Sequence, residues 1–301
     1  MQSRSEGVII LPGVLEAIRA TKSLIGDCVI TLSPADPGHF GPGSVSWRIF
    51  SHASYGVSGI AGVLMQALHP LAMAIVDRRS VFRTDAWRRA HLTADYVFKI
   101  TFSGRATADS AAARVREIHS RISGPDPVTG TIHRADDPEL LLWVHAVHTE
   151  YSLRGYSALV RELSDEDSDR FVAEQVKAAE LVGLAAHQVP KTRAELQDYI
   201  TSVPGLHVTE PAAAFARMLL RAEMPPAMRP FWALHVAGAA ALLPEDIQRA
   251  YRLPRWLPRG RAALAMLRPA FFAMNYGYLL FRPVREARAK LREVERHARA
   301  P

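Results

Sequence analysis

The sequence predicts an all-α protein, organised as a single domain of ten or more helices. Long stretches repeat apolar residues at spacings of three and four, which is the period of an amphipathic helix. Alternating strand patterns are scarce, and neither an internal repeat nor a long linker interrupts the chain. With 301 residues, 49% of them hydrophobic, the chain can bury a sizeable core. We expect a helical domain over 41–275, after an N-terminal helix and loop over 1–40 and before a charged helix or tail over 276–301.

Start and stop signals place the individual helices. Asp137 followed by Pro138 predicts a helix through Leu153, since an acidic residue and a proline both suit a first turn. Ser164 and Thr192 are typical N-cap residues and predict two more helices. The other predicted helices are Leu11–Ile25, Trp87–Thr101, Ala106–Ile122 with a stop at Gly124, three with early prolines at Pro211, Pro226 and Pro244, and Arg282–Ala300.

An apolar run without a formal charge covers 57–76. Its length would span a bilayer, but Gln66, His69 and Pro70 interrupt its middle. We therefore predict a buried core helix that kinks near Pro70. The glycines at 56, 59 and 62 would let another helix or a flat cofactor approach this helix closely.

Composition and missing motifs exclude several classes of function. The net charge of +7 is spread over scattered arginines without an aromatic-interleaved stripe, so no nucleic-acid partner is expected. The lone Cys28 excludes an intramolecular disulfide, and residues 1–24 show no secretory signal, which favours a cytoplasmic protein. No Walker loop, dinucleotide-binding glycine motif, serine elbow or Cys-x-x-Cys pair occurs, so ATP, nicotinamide and acyl-serine chemistry lose support.

His119 is the first candidate for chemistry. It follows Ala108, Ala112 and Val115 at spacings of three and four, so it lies on an otherwise apolar helix face. Such a histidine either ligates a metal or haem iron, or is a buried histidine with a backbone partner. The neighbouring Arg116 has the fork geometry that suits a haem propionate.

Arg89 and Thr93 form the second candidate pair. They are one helical turn apart and can face the same pocket. Arginine suits a carboxylate, and a threonine hydroxyl can donate to bound dioxygen. The alternative is an arginine in an ion pair, for example with Asp85, and a threonine that bonds to its own helix.

Two further histidine positions are candidates. His145 and His148 can share a metal at a spacing of three, although no His-Glu-x-x-His or Glu-x-x-His motif accompanies them. The alternative is a packing role for Trp143 and a hydrogen-bonded histidine. His69 lies in the apolar run and needs a partner or a ligand, because burying it unpaired costs ~1–3 kcal/mol.

Five motifs occur in the order typical of one family. They are Gln66-x-x-His69-Pro70, Arg89-x-x-x-Thr93-x-x-Tyr96, Gly104, His119-x-x-x-x-Gly124 and Asp137-Pro138-x-x-x-x-Trp143-Val144-His145. Over residues 40–270 the chain resembles the family of the latex-clearing rubber oxygenases and the mycophenolic-acid-pathway oxygenase. The resemblance implies a globin-like core and a b-type haem with His119 as proximal ligand and Arg89 and Thr93 on the distal side. Rubber oxygenases carry a lysine directly before that threonine. This chain has Leu92 there, so lysine capping of the iron is not expected. Rubber oxygenases also act outside the cell, and because this chain shows no export signal, a polyisoprene substrate is not expected.

The resulting hypothesis is a haem b-dependent oxygenase or oxidoreductase that uses dioxygen on a small, largely apolar substrate. An electron donor is a further partner, and contact with a membrane surface is not expected. The residues assigned to the cofactor pocket are His119, Arg89, Thr93, His69, Trp143, His145 and Arg116. The alternatives are a non-haem metal enzyme built on His145 and His148 and a non-catalytic helical protein that binds haem or lipid.

Overall fold

The structure, a computed structural model, describes residues 36–79, 86–126, 129–222, 226, 229–278 and 282–298. The described chain is mainly helical, and the all-α prediction is confirmed. The predicted first helix, Leu11–Ile25, lies outside the described residues, as do the side chains of 76–91.

Thirteen α-helices and one two-stranded hairpin lie in the part of the chain that the structure describes. The helices are α1 (Val45–Phe50), α2 (Ser54–Gln66), α3 (Pro70–Arg79), α4 (Ala86–Phe102), α5 (Arg105–Ser120), α6 (Pro138–Leu159), α7 (Asp165–Val182), α8 (Arg193–Ser202), α9 (Glu210–Leu220), α10 (Arg229–Leu242), α11 (Glu245–Ala250), α12 (Gly260–Tyr278) and α13 (Arg282–Ala298). A 3₁₀ turn covers Ala186–Gln188, and the strands are β1 (Ser123–Pro125) and β2 (Ile132–Arg134).

The predicted caps are in place. The Ser164 hydroxyl accepts a hydrogen bond from the Asp167 amide, and the Thr192 hydroxyl accepts one from the Glu195 amide. Each bond satisfies an amide that the first turn of a helix leaves without an intrahelical partner. Because these signals are local, the starts of α7 and α8 agree with the sequence-based prediction.

Three predicted elements differ from the structure. The apolar run forms two helices, because α2 ends at Gln66 and α3 begins at Pro70, which cannot donate to a continuing helix. In the described ranges, no helix combines the length and the apolarity that a bilayer crossing requires. The segment around Gly124 continues into β1, which pairs antiparallel with β2. The helix predicted near Pro226 begins at Arg229.

The most extensively packed helix pair of the core is α2 with α6. A β-carbon on Gly62 would lie 3.6 Å from the Tyr151 β-carbon, and one on Gly155 would lie 2.0 Å from Ser58 Oγ. On another side of α2, a β-carbon on Gly238 of α10 would lie 3.0 Å from Val57 Cγ1. Helices α6 and α10 therefore approach α2 as closely as the backbone allows.

A carboxylate joins α1 to α7. Glu174 accepts hydrogen bonds from the Val45 amide at 3.1 Å and from the Ser46 amide and hydroxyl at 2.8 and 2.7 Å. The Gln175 side-chain amide also donates to the Ser46 hydroxyl, at 2.9 Å. These bonds satisfy the amides at the start of α1 and fix the segment that carries Phe50 against the core.

Two glycines on the paired helices should respond oppositely to the same substitution. Gly155→Ala should lower the free energy of unfolding by about 1–3 kcal/mol, because its methyl group would overlap Ser58. Gly59→Ala should raise it by about 0.5–1 kcal/mol, because nothing lies within 4 Å of the added carbon and alanine favours a helix. Urea-induced unfolding measures both changes, and effects of the same sign would contradict the packing of α2 on α6.

Candidate functional site

A helical hairpin sets the positions of three predicted site residues. Helices α4 and α5 pack against each other and are separated only by Ser103 and Gly104. At 1.5 Å per residue, the backbones of Arg89 and His119 both lie about 22 Å from this turn, and Thr93 lies one helical turn nearer to it. The register of the hairpin therefore brings all three backbones to the same end.

An aspartate closes the turn of this hairpin. The Asp36 carboxylate accepts a hydrogen bond from the Arg105 amide at 2.6 Å and one from the Gly38 amide at 3.0 Å. Gly38 has a φ of 75°, and a β-carbon there would lie 2.2 Å from the Ser103 carbonyl oxygen. The negative charge lies at the positive end of the α5 dipole, so it stabilises the helix that carries His119.

His119 is half-buried in the last turn of α5, and Ala108 and Ala112 on the same face are fully buried. The predicted inward face is therefore present. The pKa of Asp136 is lowered, mainly by hydrogen bonds from Arg134 and to a smaller extent by the charge of His119. Thr93 is exposed. The Arg89 side chain lies outside the described part of the chain.

Arg116 makes a contact that the sequence did not indicate. Its guanidinium donates to the Leu181 carbonyl oxygen at 2.6 Å, in the last turn of α7, where a cation is favourable. Arg116 also lies near Tyr96, whose pKa is raised by burial and lowered to a smaller extent by this arginine. The described contacts of Arg116 thus join α5 to α4 and α7, and a contact with a haem propionate stays a prediction.

One face of α2 is open. Gly56, Gly59, Val63 and Gln66 follow one another at spacings of three and four and are only half-buried. A β-carbon on Gly59 would meet no atom of the described residues within 4 Å. Gly62, by contrast, packs against α6. The predicted glycine stripe therefore divides into two glycines on the open face and one that admits the neighbouring helix.

Two deeply placed histidines lie on α6 beside this region. Burial lowers the pKa of His148 to about 4, and burial with a smaller effect of His148 lowers the pKa of His145 to about 3. Both side chains nevertheless keep part of their surface accessible. His148 Nε2 lies 3.3 Å from the Tyr55 hydroxyl, and its ring stacks on Phe50 with centroids 5.7 Å apart. Both imidazoles are neutral near pH 7, so a ring nitrogen can accept a proton or ligate a metal.

Gln66 connects the open face of α2 to α6. Its side-chain amide donates to the Val144 carbonyl oxygen at 2.9 Å, and its backbone carbonyl oxygen accepts from the Trp143 indole at 3.0 Å. Trp143 is buried, and its ring centroid lies 6.1 Å from that of His69. Trp143 and His145 are two positions apart on the helix and point to nearly opposite sides. The packing interpretation of Trp143 and of a hydrogen-bonded His148 is confirmed.

His69 lies at the break between α2 and α3. Its Nδ1 is buried and has no hydrogen-bond partner among the described residues. Burial lowers the pKa of His69, whereas Glu139 raises it and His133 lowers it further. A neutral imidazole with one unsatisfied nitrogen is suited to accept a hydrogen bond or to bind a metal.

The structure therefore places the candidates in three groups. The backbones of Arg89, Thr93 and His119 lie at one end of the α4–α5 hairpin, His145 and His148 lie three positions apart on α6, and His69 lies beside Trp143. Among the described residues, no three His, Cys, Asp or Glu side chains converge to hold a metal ion. The non-haem alternative thus has two histidines and no third ligand within those ranges.

Sequence reasoning missed the partners of His148. Tyr55 and Phe50 lie on α2 and α1, far from His148 along the chain. No spacing rule connects such distant positions, because the contact depends on how α6 packs against α2. The glycine spacing of α2 was the one available signal that an open face lies nearby.

The family described as "ER-bound oxygenase mpaB/B'/Rubber oxygenase, catalytic domain" matches residues 47–273. The match begins within α1 and ends within α12, so all the candidate residues fall inside it. Comparison with curated proteins and with solved structures gives no match.

The two deep histidines should make stability depend on pH. Their pKa values of about 3 and about 4 lie below the ordinary 6.5, so the unfolded chain binds protons that the folded protein does not. The free energy of unfolding should therefore fall as the pH drops from about 6.5 to about 4, by up to ~1.4 kcal/mol per pH unit for each histidine.

Urea-induced unfolding over this pH range tests the expectation with His145→Gln/His148→Gln, which should flatten the dependence. The exposed His187 supplies the control His187→Gln. An equally steep dependence in the double variant would mean that both imidazoles are accessible to protons.

Proposed function

Because the chain belongs to the family of mpaB and rubber oxygenase catalytic domains, we propose that it is a haem b-dependent oxygenase that acts with dioxygen on a small, largely apolar substrate. The family supports oxygenase activity in general. The observation that carries the proposal is the register of the α4–α5 hairpin, since it supports a site shared by Arg89, Thr93 and His119. The globin-like arrangement of the core stays a prediction.

The residues present fit a flat, apolar cofactor. Gly59 leaves the backbone of α2 uncovered, and Gly56 lies one turn before it on the same open face. A haem needs one protein imidazole as its axial ligand, so it does not require the converging ligands of a non-haem site. His119 lies on an inward face of α5. The His69 Nδ1, which has no hydrogen-bond partner among the described residues, is a second nitrogen that could ligate the iron.

Each predicted residue has a distinct part in this proposal. His119 would hold the iron through a ring nitrogen. Arg89 and Thr93 would donate hydrogen bonds on the opposite side, where Leu92 offers no donor. When bound, haem supplies the redox chemistry by which dioxygen is activated.

The side of α6 that carries His145 and His148 would form one wall of a reaction space that excludes water. The Phe50 ring stacks on one face of the His148 imidazole, and the Tyr55 hydroxyl lies within hydrogen-bonding distance of its Nε2. Because His145 and His148 stay neutral, this wall adds no charge near an apolar substrate. Water is thereby disfavoured, which suits chemistry with a reactive oxidant.

A non-catalytic haem or lipid carrier would use the same apolar space. The two functions differ in oxygen consumption. An oxygenase consumes dioxygen in the presence of a reductant and an apolar substrate, whereas a carrier does not.

The first test concerns the iron ligand. Protein expressed with a supply of haem should show Soret absorbance, and His119→Ala should lose nearly all of it because His119 would be the residue that holds the iron. His187→Ala, at an exposed histidine, is the matched control. A colourless wild-type protein would overturn the proposal, and an unchanged spectrum in His119→Ala would reassign the ligand to His69 or His145.

The second test concerns the open face of α2. Gly59→Met should lower the haem content of the purified protein, and Gly59→Ala should lower it less, because the added side chain occupies the space where a flat group would lie. Neither substitution should unfold the apoprotein. Ile132→Met, at an exposed residue of β2, is the control. Full haem loading of Gly59→Met would put the cofactor elsewhere.

A further inference from the structure

Helix α12 is apolar on its outward side as well as on its inward side. Ala263, Leu264, Phe271 and Met274 face the core. Met266, Phe272 and Tyr276 are instead 76%, 65% and 63% exposed. A helix that is apolar all round is normally buried, so the outward side requires a partner.

The exposed residues form one continuous surface. At 100° per residue, the outward arc of α12 contains no charged side chain between its two edges. We call this arc the outward face, and it consists of Ala262, Ala265, Met266, Pro269, Phe272, Ala273 and Tyr276. The Phe272 and Tyr276 rings lie edge to face with centroids 5.6 Å apart, which gives the face an aromatic ridge. Contiguous apolar surface of this kind marks an interaction site.

The chain segment that contains the outward face carries charges of a single sign. Residues 247–285 contain no aspartate or glutamate and eight arginines, at positions 249, 252, 255, 259, 261, 268, 282 and 285. Arg261 and Arg268 lie along one edge of the face by helical spacing. Arg268 donates to the Ala158 and Ser157 carbonyl oxygens, whereas Arg255 and Arg261 are exposed near the start of the helix.

We propose that the outward face of α12 binds the surface of an anionic lipid bilayer. The helix lies in the plane of the interface, with the aromatic ridge and Met266 at the acyl boundary and the arginines at the phosphate groups. Arginine suits this position because its guanidinium forms paired hydrogen bonds with phosphate oxygens. Membrane contact was not expected from the sequence, because the sequence alone does not show which apolar residues of α12 are buried and which are exposed.

A second copy of the chain fits this face less well. Self-association through α12 would bring together two arginine-rich segments that contain no acidic residue, and the like charges would repel each other. An anionic bilayer instead complements both the apolar ridge and the positive charge. The observations therefore favour lipid as the occupant.

Vesicle co-sedimentation of the full chain tests the proposal. The protein should bind vesicles of phosphatidylcholine mixed with phosphatidylglycerol, bind pure phosphatidylcholine more weakly, and dissociate as salt is added. Phe272→Gln/Tyr276→Gln should lower the affinity by about tenfold or more, because two aromatic side chains no longer enter the interface. Ile132→Gln is the matched control, since Ile132 on β2 is 64% exposed and far from α12 in sequence.

Charge reversal supplies a second variant. Arg255→Glu/Arg261→Glu should weaken binding to the anionic vesicles and leave the weak binding to phosphatidylcholine unchanged. Thermal unfolding of each variant, followed without reference to haem content or turnover, checks that the fold is intact. A failure here is therefore distinguishable from a failure of the proposed oxygenase activity.

Three results would overturn the proposal. In the first, the wild-type chain would stay in the supernatant with anionic vesicles. In the second, Ile132→Gln would lose as much binding as Phe272→Gln/Tyr276→Gln. In the third, sedimentation velocity would show a dimer that Phe272→Gln/Tyr276→Gln dissociates, which would assign the face to a second copy of the chain.

Discussion

The close approach of α2 and α6 is the constraint on which the rest of the structure depends. Gly62 and Gly155 lack the side chains that would hold these helices apart, so Tyr151 and Ser58 pack directly against backbone. The approach fixes the rotation of α6, because a helix seated on two glycines cannot turn without a steric clash. That rotation brings His148 to Tyr55 and the Trp143 indole to the Gln66 carbonyl oxygen, and both contacts are with α2. The wall of the candidate site is thus a consequence of core packing.

The hydrogen bonds of Gln66 make the same contact specific. Two bonds cross between the end of α2 and the Trp143–Val144 segment, and the buried Trp143 indole nitrogen would be costly to leave without its partner. A register shift of α6 would break both bonds at once. Apolar packing and polar satisfaction therefore select the same arrangement, which is what a sequence needs in order to specify one structure.

The sequence predicted what local signals determine. The hydroxyls of Ser164 and Thr192 satisfy amides three residues away, so helix starts were correct. The inward placement of His119 also followed from spacing, because Ala108 and Ala112 share its face. Tertiary contacts could not be predicted from the sequence. The pairing of Tyr55 with His148 and the bond from Arg116 to Leu181 join distant segments, and a three-residue strand such as β1 is too short to show alternation.

The open face of α2 has a consequence for any molecule that binds there. Helices α2 and α6 are held by direct contacts with each other, so this surface is already formed before a ligand binds. Association then involves little ordering of the chain, and the ligand meets a surface of settled shape. Under those conditions the rise in unfolding temperature with ligand concentration reports affinity for the folded state by simple mass action. A thermal-shift survey of flat, apolar compounds would therefore rank them by fit to this surface, without a correction for coupled folding.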